Sequence, residues 1–163
     1  MTATGLSIEV SIAGQRLRLL RGSEVVREYP VSTARNGAGE IMDSYCTPRG
    51  AHVIAEKIGH DCAVDTVFVN RRPTGELFCP ELRARHPDRD WILTRILWLG
   101  GTEPGRNQGG KVDSRDRYIY IHGSPDDVTM GRPGSAGCIR MRNGDVMELF
   151  DLVEEGTPVL IRE

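Results

Sequence analysis

The run from Arg16 to Leu20 sets Leu17 and Leu19 between Arg16 and Arg18, an alternation that no helix can use. A period of two puts the leucines on one face and the arginines on the other, as in a half-buried strand. Gly22-Ser23 then supplies a tight turn. Runs of Ile, Val, Leu and aromatic residues predict further strands at Ile8–Ile12, Val25–Ser32, Ala51–Glu56, Val67–Asn70, Trp91–Leu99, Tyr118–His122 and Pro158–Ile161. Helical spacing stands out once: Val146, Leu149, Phe150 and Val153 predict a helix over 145–155, with Asn143 as N-cap and Gly156 past its end. A shorter helix is expected over 80–86. The fold class is mainly β.

With 163 residues and 39% apolar content, the chain can bury one core, so residues 1–163 read as one domain without repeats or linkers. Lys and Arg number 21 against 23 Asp and Glu, for a net charge of −2 with both signs scattered. That distribution asks for neither nucleic acid nor an anionic membrane. No apolar run approaches the roughly 18 residues of a membrane span. The first cation is Arg16 and no apolar export segment precedes it, which leads to the expectation of a soluble, cytoplasmic protein. Cys46, Cys62, Cys79 and Cys138 form no Cys-x-x-Cys pair, and if one stays a thiol for chemistry the rest cannot all pair. That arithmetic fits a reducing compartment.

Two motifs lose force on inspection. The segment from Gly105 to Lys111 matches the start of a phosphate-binding loop, but Val112 stands where a magnesium-binding hydroxyl belongs and a strand pattern follows. His60-Asp61-Cys62, with His52 and Cys46, matches no zinc spacing. The Gly- and Pro-rich stretches 100–110 and 124–134 are instead long loops of the kind that border functional sites.

In Ser135-Ala136-Gly137-Cys138-Ile139-Arg140 a thiol follows small residues that let a substrate carbonyl approach the backbone. A lone cysteine is more often a small buried hydrophobe. Here, however, Tyr118-Ile-Tyr-Ile-His122 ends in His122-Gly123, and period two groups Tyr118, Tyr120 and His122 opposite Ile119 and Ile121. If the isoleucines face the core, His122 projects toward a cleft. A free thiol titrates near about 8.5, so an imidazole is needed to raise its reactive fraction. Cys138 and His122 supply that pair.

At these residues the chain resembles the YkuD, or L,D-transpeptidase catalytic, family, in which a His-Gly precedes Ser-His-Gly-Cys, an apolar residue and Arg or Asn. The similarity extends to Thr47-Pro48-Arg49-Gly50 and through Asn143, Asp145 and Leu149 to Glu155-Gly-Thr-Pro-Val159. Ala136 departs from the pattern, since many members carry a second histidine there. The resemblance implies a YkuD-like β-sandwich of mixed sheets with one or two short helices. It also implies that the carbonyl of Gly123 orients the imidazole in place of a carboxylate.

The chemistry implied by the resemblance is attack of Cys138 on the carbonyl of a murein stem peptide, before its terminal D-alanine. His122 moves the proton and a thioester remains. The Gly137 and Cys138 N–H groups are the natural oxyanion donors. No metal or organic cofactor is required. Arg140, just past the nucleophile, and Arg95, on the apolar stripe of Leu93, Leu97 and Leu99, are candidates to hold a substrate carboxylate, with Ser135 also placed against substrate. Three readings follow: a cytoplasmic L,D-carboxypeptidase that trims tetrapeptides in peptidoglycan recycling, an L,D-transpeptidase that makes crosslinks, and a silent wall-fragment binding module. The expected compartment favours the first, and an intact Cys138 and His122 oppose the last.

Overall fold

The structure, a computed structural model, describes residues 4–163. Its elements run β1 (Leu6–Ser11), β2 (Arg16–Arg21), β3 (Glu24–Pro30), β4 (Gly50–Ile58), β5 (Thr66–Val69), β6 (Arg72–Leu77), α1 (Pro80–Arg85), β7 (Ile92–Gly101), β8 (Tyr120–Gly123), β9 (Ile139–Met141), α2 (Asn143–Leu152) and β10 (Pro158–Arg162). The strands form one mixed hydrogen-bonded network in the order β3-β2-β1-β10-β4-β7-β5-β6, with β8 branching from β7 and carrying β9. The β1/β10 and β8/β9 pairs are parallel. The mainly β reading with two helices is borne out.

Alternation decides which residues meet. Ile8 and Val10 of β1, Leu17 and Leu19 of β2, and Val159 and Ile161 of β10 turn inward onto Ile121, Ile139, Met141 and the Val146, Leu149 and Phe150 stripe of α2. Burying a side chain of this size contributes about 1.5–3 kcal/mol. This core therefore clamps β8, β9 and α2, the elements on either side of the cysteine motif, against the sheet. The Arg16 and Arg18 face stays outside, where both arginines reach Glu28 on β3 at 2.7 Å.

Strand β7 pairs with β4, β5 and β8, and it does so by breaking its own alternation. Leu93 faces Gly123 while Ile96 faces His122, so Thr94 and Arg95 have no partner on β8. Thr94 takes a left-handed φ of 76°, and its hydroxyl donates to Asn143 Oδ1 at 2.6 Å. Gly123 fits into the resulting crowd: a Cβ there would lie 2.6 Å from the Leu93 carbonyl oxygen. The His-Gly step thus needs glycine because nothing larger fits against the bulge, and not because of its φ.

Several sequence expectations shift. Strand β8 starts at Tyr120, because Tyr118 adopts a left-handed φ of 57° that ends any extended run. Asn143 is the first residue of α2 and Arg142 is the cap; the Asn143 amide is drawn instead toward Thr94 and toward Asp65 at 3.1 Å. The helix ends at Leu152, with Val153 as its C-cap. Strand β6 escaped notice because it is an exposed edge strand containing Pro73 and Gly75, and β9 because it has only three residues.

Candidate active site

The parallel register of β8 and β9 places Ile121 opposite Ile139 and His122 opposite Arg140, which sets Cys138 beside Tyr120. The turn that presents the thiol is tied from several sides. Ser135 Oγ accepts the Gly137 N–H at 3.2 Å and donates to the Cys138 carbonyl at 2.5 Å. Thr47 Oγ1 donates to the Gly137 carbonyl at 2.8 Å while accepting the Ala34 N–H at 3.0 Å. Gly137 has a φ of 130°, a conformation in which a side chain is strained, and a Cβ there would stand 3.3 Å from the Cys46 carbonyl.

Cys138 is half-buried, and its sulfur accepts the Tyr120 N–H at 3.3 Å and points its thiol toward the Tyr118 carbonyl at 3.4 Å. Burial pushes the thiol up to about 12, against opposing pulls from the Tyr120 N–H and the charges of Arg117 and Arg140. The resting group is a neutral thiol. Its own N–H meets no acceptor among the described residues.

His122 is 1% exposed. Its Nδ1 lies 2.6 Å from the Gly123 carbonyl, which can only accept, so the ring proton sits on Nδ1 and Nε2 keeps the lone pair. Burial holds its pKa below the ordinary histidine value, so the imidazole is neutral at pH 7. No hydrogen bond joins His122 to Cys138 among the described residues, since the thiol is turned to Tyr118. The carboxylate of Asp90 acts electrostatically on Cys138, His122 and Arg140 alike, placing the three in one neighbourhood.

Cys138 opens on a cavity of about 440 Å³. Phe68, Ile92 and Ile96 give it an apolar floor, while Tyr45, Tyr118 and Tyr120 wall it and Arg71, Arg89, Arg117 and Asp90 supply charge. Ala136 also borders it, at the position where the resemblance leads one to look for a second histidine.

The arginines chosen from the sequence do not border this cavity. Arg95 falls in the β7 bulge, so the alternation that grouped it with Leu93 and Leu97 stops one residue before it. It is 7% exposed, donates to the Cys62 and Thr94 carbonyls at 2.8 and 2.6 Å, and lies over the Phe150 ring. Arg140 turns to Ser32 Oγ at 2.8 Å and borders a separate cavity with Arg35 and Arg132. Ser135 is buried and holds the turn, and the Gly137 N–H already has Ser135 Oγ as acceptor, leaving Cys138 N–H as the free donor. The cavity residues that sequence reasoning missed are Arg71, Arg117 and Asp90. Arg71 and Arg117 sit in turns and Asp90 in the irregular stretch before β7, where periodicity carries no information.

Residues 6–161 match the family model YkuD, the L,D-transpeptidase catalytic domain. The chain is 30% identical over 155 residues to the L,D-transpeptidase YkuD of Bacillus licheniformis, an alignment covering 94% of this chain and 64% of that protein. It is 25% identical to the L,D-transpeptidase YcfS of Escherichia coli, over 94% of this chain and 43% of that one. The chain thus spans about two fifths to two thirds of the length of these relatives. Its fold resembles that of an L,D-transpeptidase from Mycobacterium smegmatis, with a TM-score of 0.59 at 20% identity over 98% of this chain and 59% of the other. It likewise resembles L,D-transpeptidase 3 from Mycobacterium tuberculosis in complex with a faropenem-derived adduct, at TM-score 0.58 and 17% identity over 98% of this chain and 60% of that one.

Proposed function

Since the chain belongs to the YkuD family of L,D-transpeptidase catalytic domains, we propose that it is a cytoplasmic L,D-carboxypeptidase that removes the terminal D-alanine from murein tetrapeptides during wall recycling. The observation that carries the chemistry is the pairing of a cavity-facing Cys138 with an imidazole whose Nδ1 is tied to the Gly123 carbonyl. That tie leaves Nε2 as the base.

The reaction begins from a neutral thiol and a neutral imidazole. Substrate entering the cavity displaces the thiol from the Tyr118 carbonyl, and Nε2 takes its proton as sulfur adds to the peptide carbonyl. The free Cys138 N–H is the donor placed for the oxyanion. His122 then gives its proton to the departing amine; the C–N bond breaks, D-alanine leaves and a thioester remains. Water attacks the thioester, transferring its proton to His122 and returning Cys138 as thiol with the tripeptide acid. The polar lining of Asn70, Arg71 and Asp90 keeps water beside the thioester. Four cysteines without a disulfide among them support a reducing compartment.

One observation favours transpeptidation as the second reading. A neighbouring cavity of about 250 Å³ shares Tyr45, Arg117, Tyr118, Ile119 and Ala136 with the first, and offers room for an acceptor amine. Incubating purified protein with a tetrapeptide and abundant acceptor distinguishes the two. Free D-alanine and tripeptide are expected, while crosslinked dimer as main product would promote the transpeptidase, because an oriented acceptor outcompetes water.

A further inference from the structure

We propose that Arg71 is the carboxylate clamp of the catalytic cavity, gripping the free carboxylate of the departing D-amino acid; this rests on the acyl-enzyme reading above. Arg71 sits where backbone preference argues against it. Val69 pairs with Arg72, so Asn70 and Arg71 form a two-residue hairpin turn, and both have left-handed φ values, 51° and 64°. Such a turn favours Asn followed by Gly. An arginine held in the glycine position is local strain of the kind that gathers at functional sites.

The side chain is held in place. Its guanidinium stacks over the Trp98 ring at 4.9 Å and the Tyr118 ring at 4.8 Å, and Nη1 donates to Tyr120 Oη at 3.1 Å. Tyr120 donates its own N–H to Cys138 Sγ, so one residue touches both the guanidinium and the thiol. With Nη1 engaged, the Nε and Nη2 edge remains unused, and that edge matches a carboxylate in a bidentate pair. No carboxylate lies within ion-pair distance of Arg71 among the described residues.

The other two arginines of the cavity are committed elsewhere. Arg117 donates to the Cys46 carbonyl at 2.7 Å and to Gly39 and Ser44 at 3.3 Å. Arg89 pairs with Glu76 at 2.8 Å and lies over Trp91. Of the three, Arg71 alone has neither a carboxylate partner nor a guanidinium spent on backbone carbonyls.

The test compares a tetrapeptide free acid with its C-terminal amide. Wild type is expected to favour the acid in kcat/KM by roughly 10- to 150-fold, the range for hydrogen bonds to a charged group. R71Q and R71K are expected to lose that preference, the lysine because it lacks the fork. R71G suits the left-handed turn while removing the whole guanidinium, so it is expected to fold and to lose the preference. Unchanged preference in R71Q and R71G, or equal turnover of acid and amide by wild type, overturns the clamp. Alkylation of Cys138 separates this from failure of the proposed function, because it needs no peptide. Iodoacetate should react faster relative to iodoacetamide in wild type than in R71Q. That ratio holding without any peptide cleavage would sink the carboxypeptidase reading and keep the anion site, and an unchanged ratio would sink the anion site.

Discussion

His122 Nδ1 donates to the carbonyl of its own neighbour Gly123 at 2.6 Å, so a backbone group does the orienting that a carboxylate does in a Ser-His-Asp triad. A carbonyl fixes the tautomer without adding a negative charge. Burial outweighs the opposing pull of the Asp90 carboxylate, so the imidazole stays neutral and basic at Nε2.

This gives a pH dependence. Burial lowers the His122 pKa, only partly opposed by Asp90 and the Gly123 hydrogen bond, so the base becomes protonated only below the ordinary value of 6.5. The acid limb of kcat/KM should fall below pH 6.5. A limb centred above pH 7 would contradict the neutral, buried base.

The thiol should behave as an un-ionised group at rest. With Cys138 pushed up to about 12, its alkylation by iodoacetamide should keep accelerating through pH 9 and 10. A rate already level by pH 7 would mean a standing thiolate-imidazolium pair instead.

Stability should also follow the histidines. His52 and His122 are both buried and both lowered from 6.5. Below pH 6.5 the unfolded chain therefore binds more protons than the folded one at these sites. Their contribution is complete above that pH and is lost as pH falls toward the lowered folded values. Urea midpoints at pH 7.5 and 5.5 should show the drop, and it should shrink in His52→Asn, which removes one of the two groups.

How much of this was legible in the sequence depended on periodicity. Leu17 and Leu19, Ile119 and Ile121, and the Val146–Leu149–Phe150 stripe repeat regularly, and all lie in the core as read. The Cys138 and His122-Gly123 segments were legible as motifs, and the structure brings their strands side by side. Arg95 was misplaced because the Thr94 bulge reverses alternation locally, and a bulge made by a threonine leaves no mark in composition. Arg71 and Asp90 were invisible because loops decide their direction. Asn143 read as a cap because its residue type favours caps, yet the bulge offered its amide a better partner.

Arg95 offers a check on that correction. Truncation to Met should strand the Cys62 and Thr94 carbonyls and destabilise the fold by about 1–3 kcal/mol. Activity per folded molecule should stay near wild type, because the side chain does not border the cavity. A stable Arg95→Met protein with a large rise in KM would restore Arg95 to the substrate.

Gly123 is expected to tolerate nothing larger. Gly123→Ala drives a Cβ against Leu93, Thr94 and Asn143, an overpacking that costs typically about 1–3 kcal/mol. Chemical denaturation measures it, and unchanged stability would show that the bulge yields easily.

The central claim is that Cys138 carries the acyl group, and intact mass spectrometry of protein quenched in acid during turnover of a tetrapeptide tests it most directly. The expected result is a tripeptidyl adduct mapped to Cys138, absent from folded Cys138→Ala, which should also release no D-alanine. D-alanine released by Cys138→Ala, or an adduct mapped to Cys46, Cys62 or Cys79, would contradict the account.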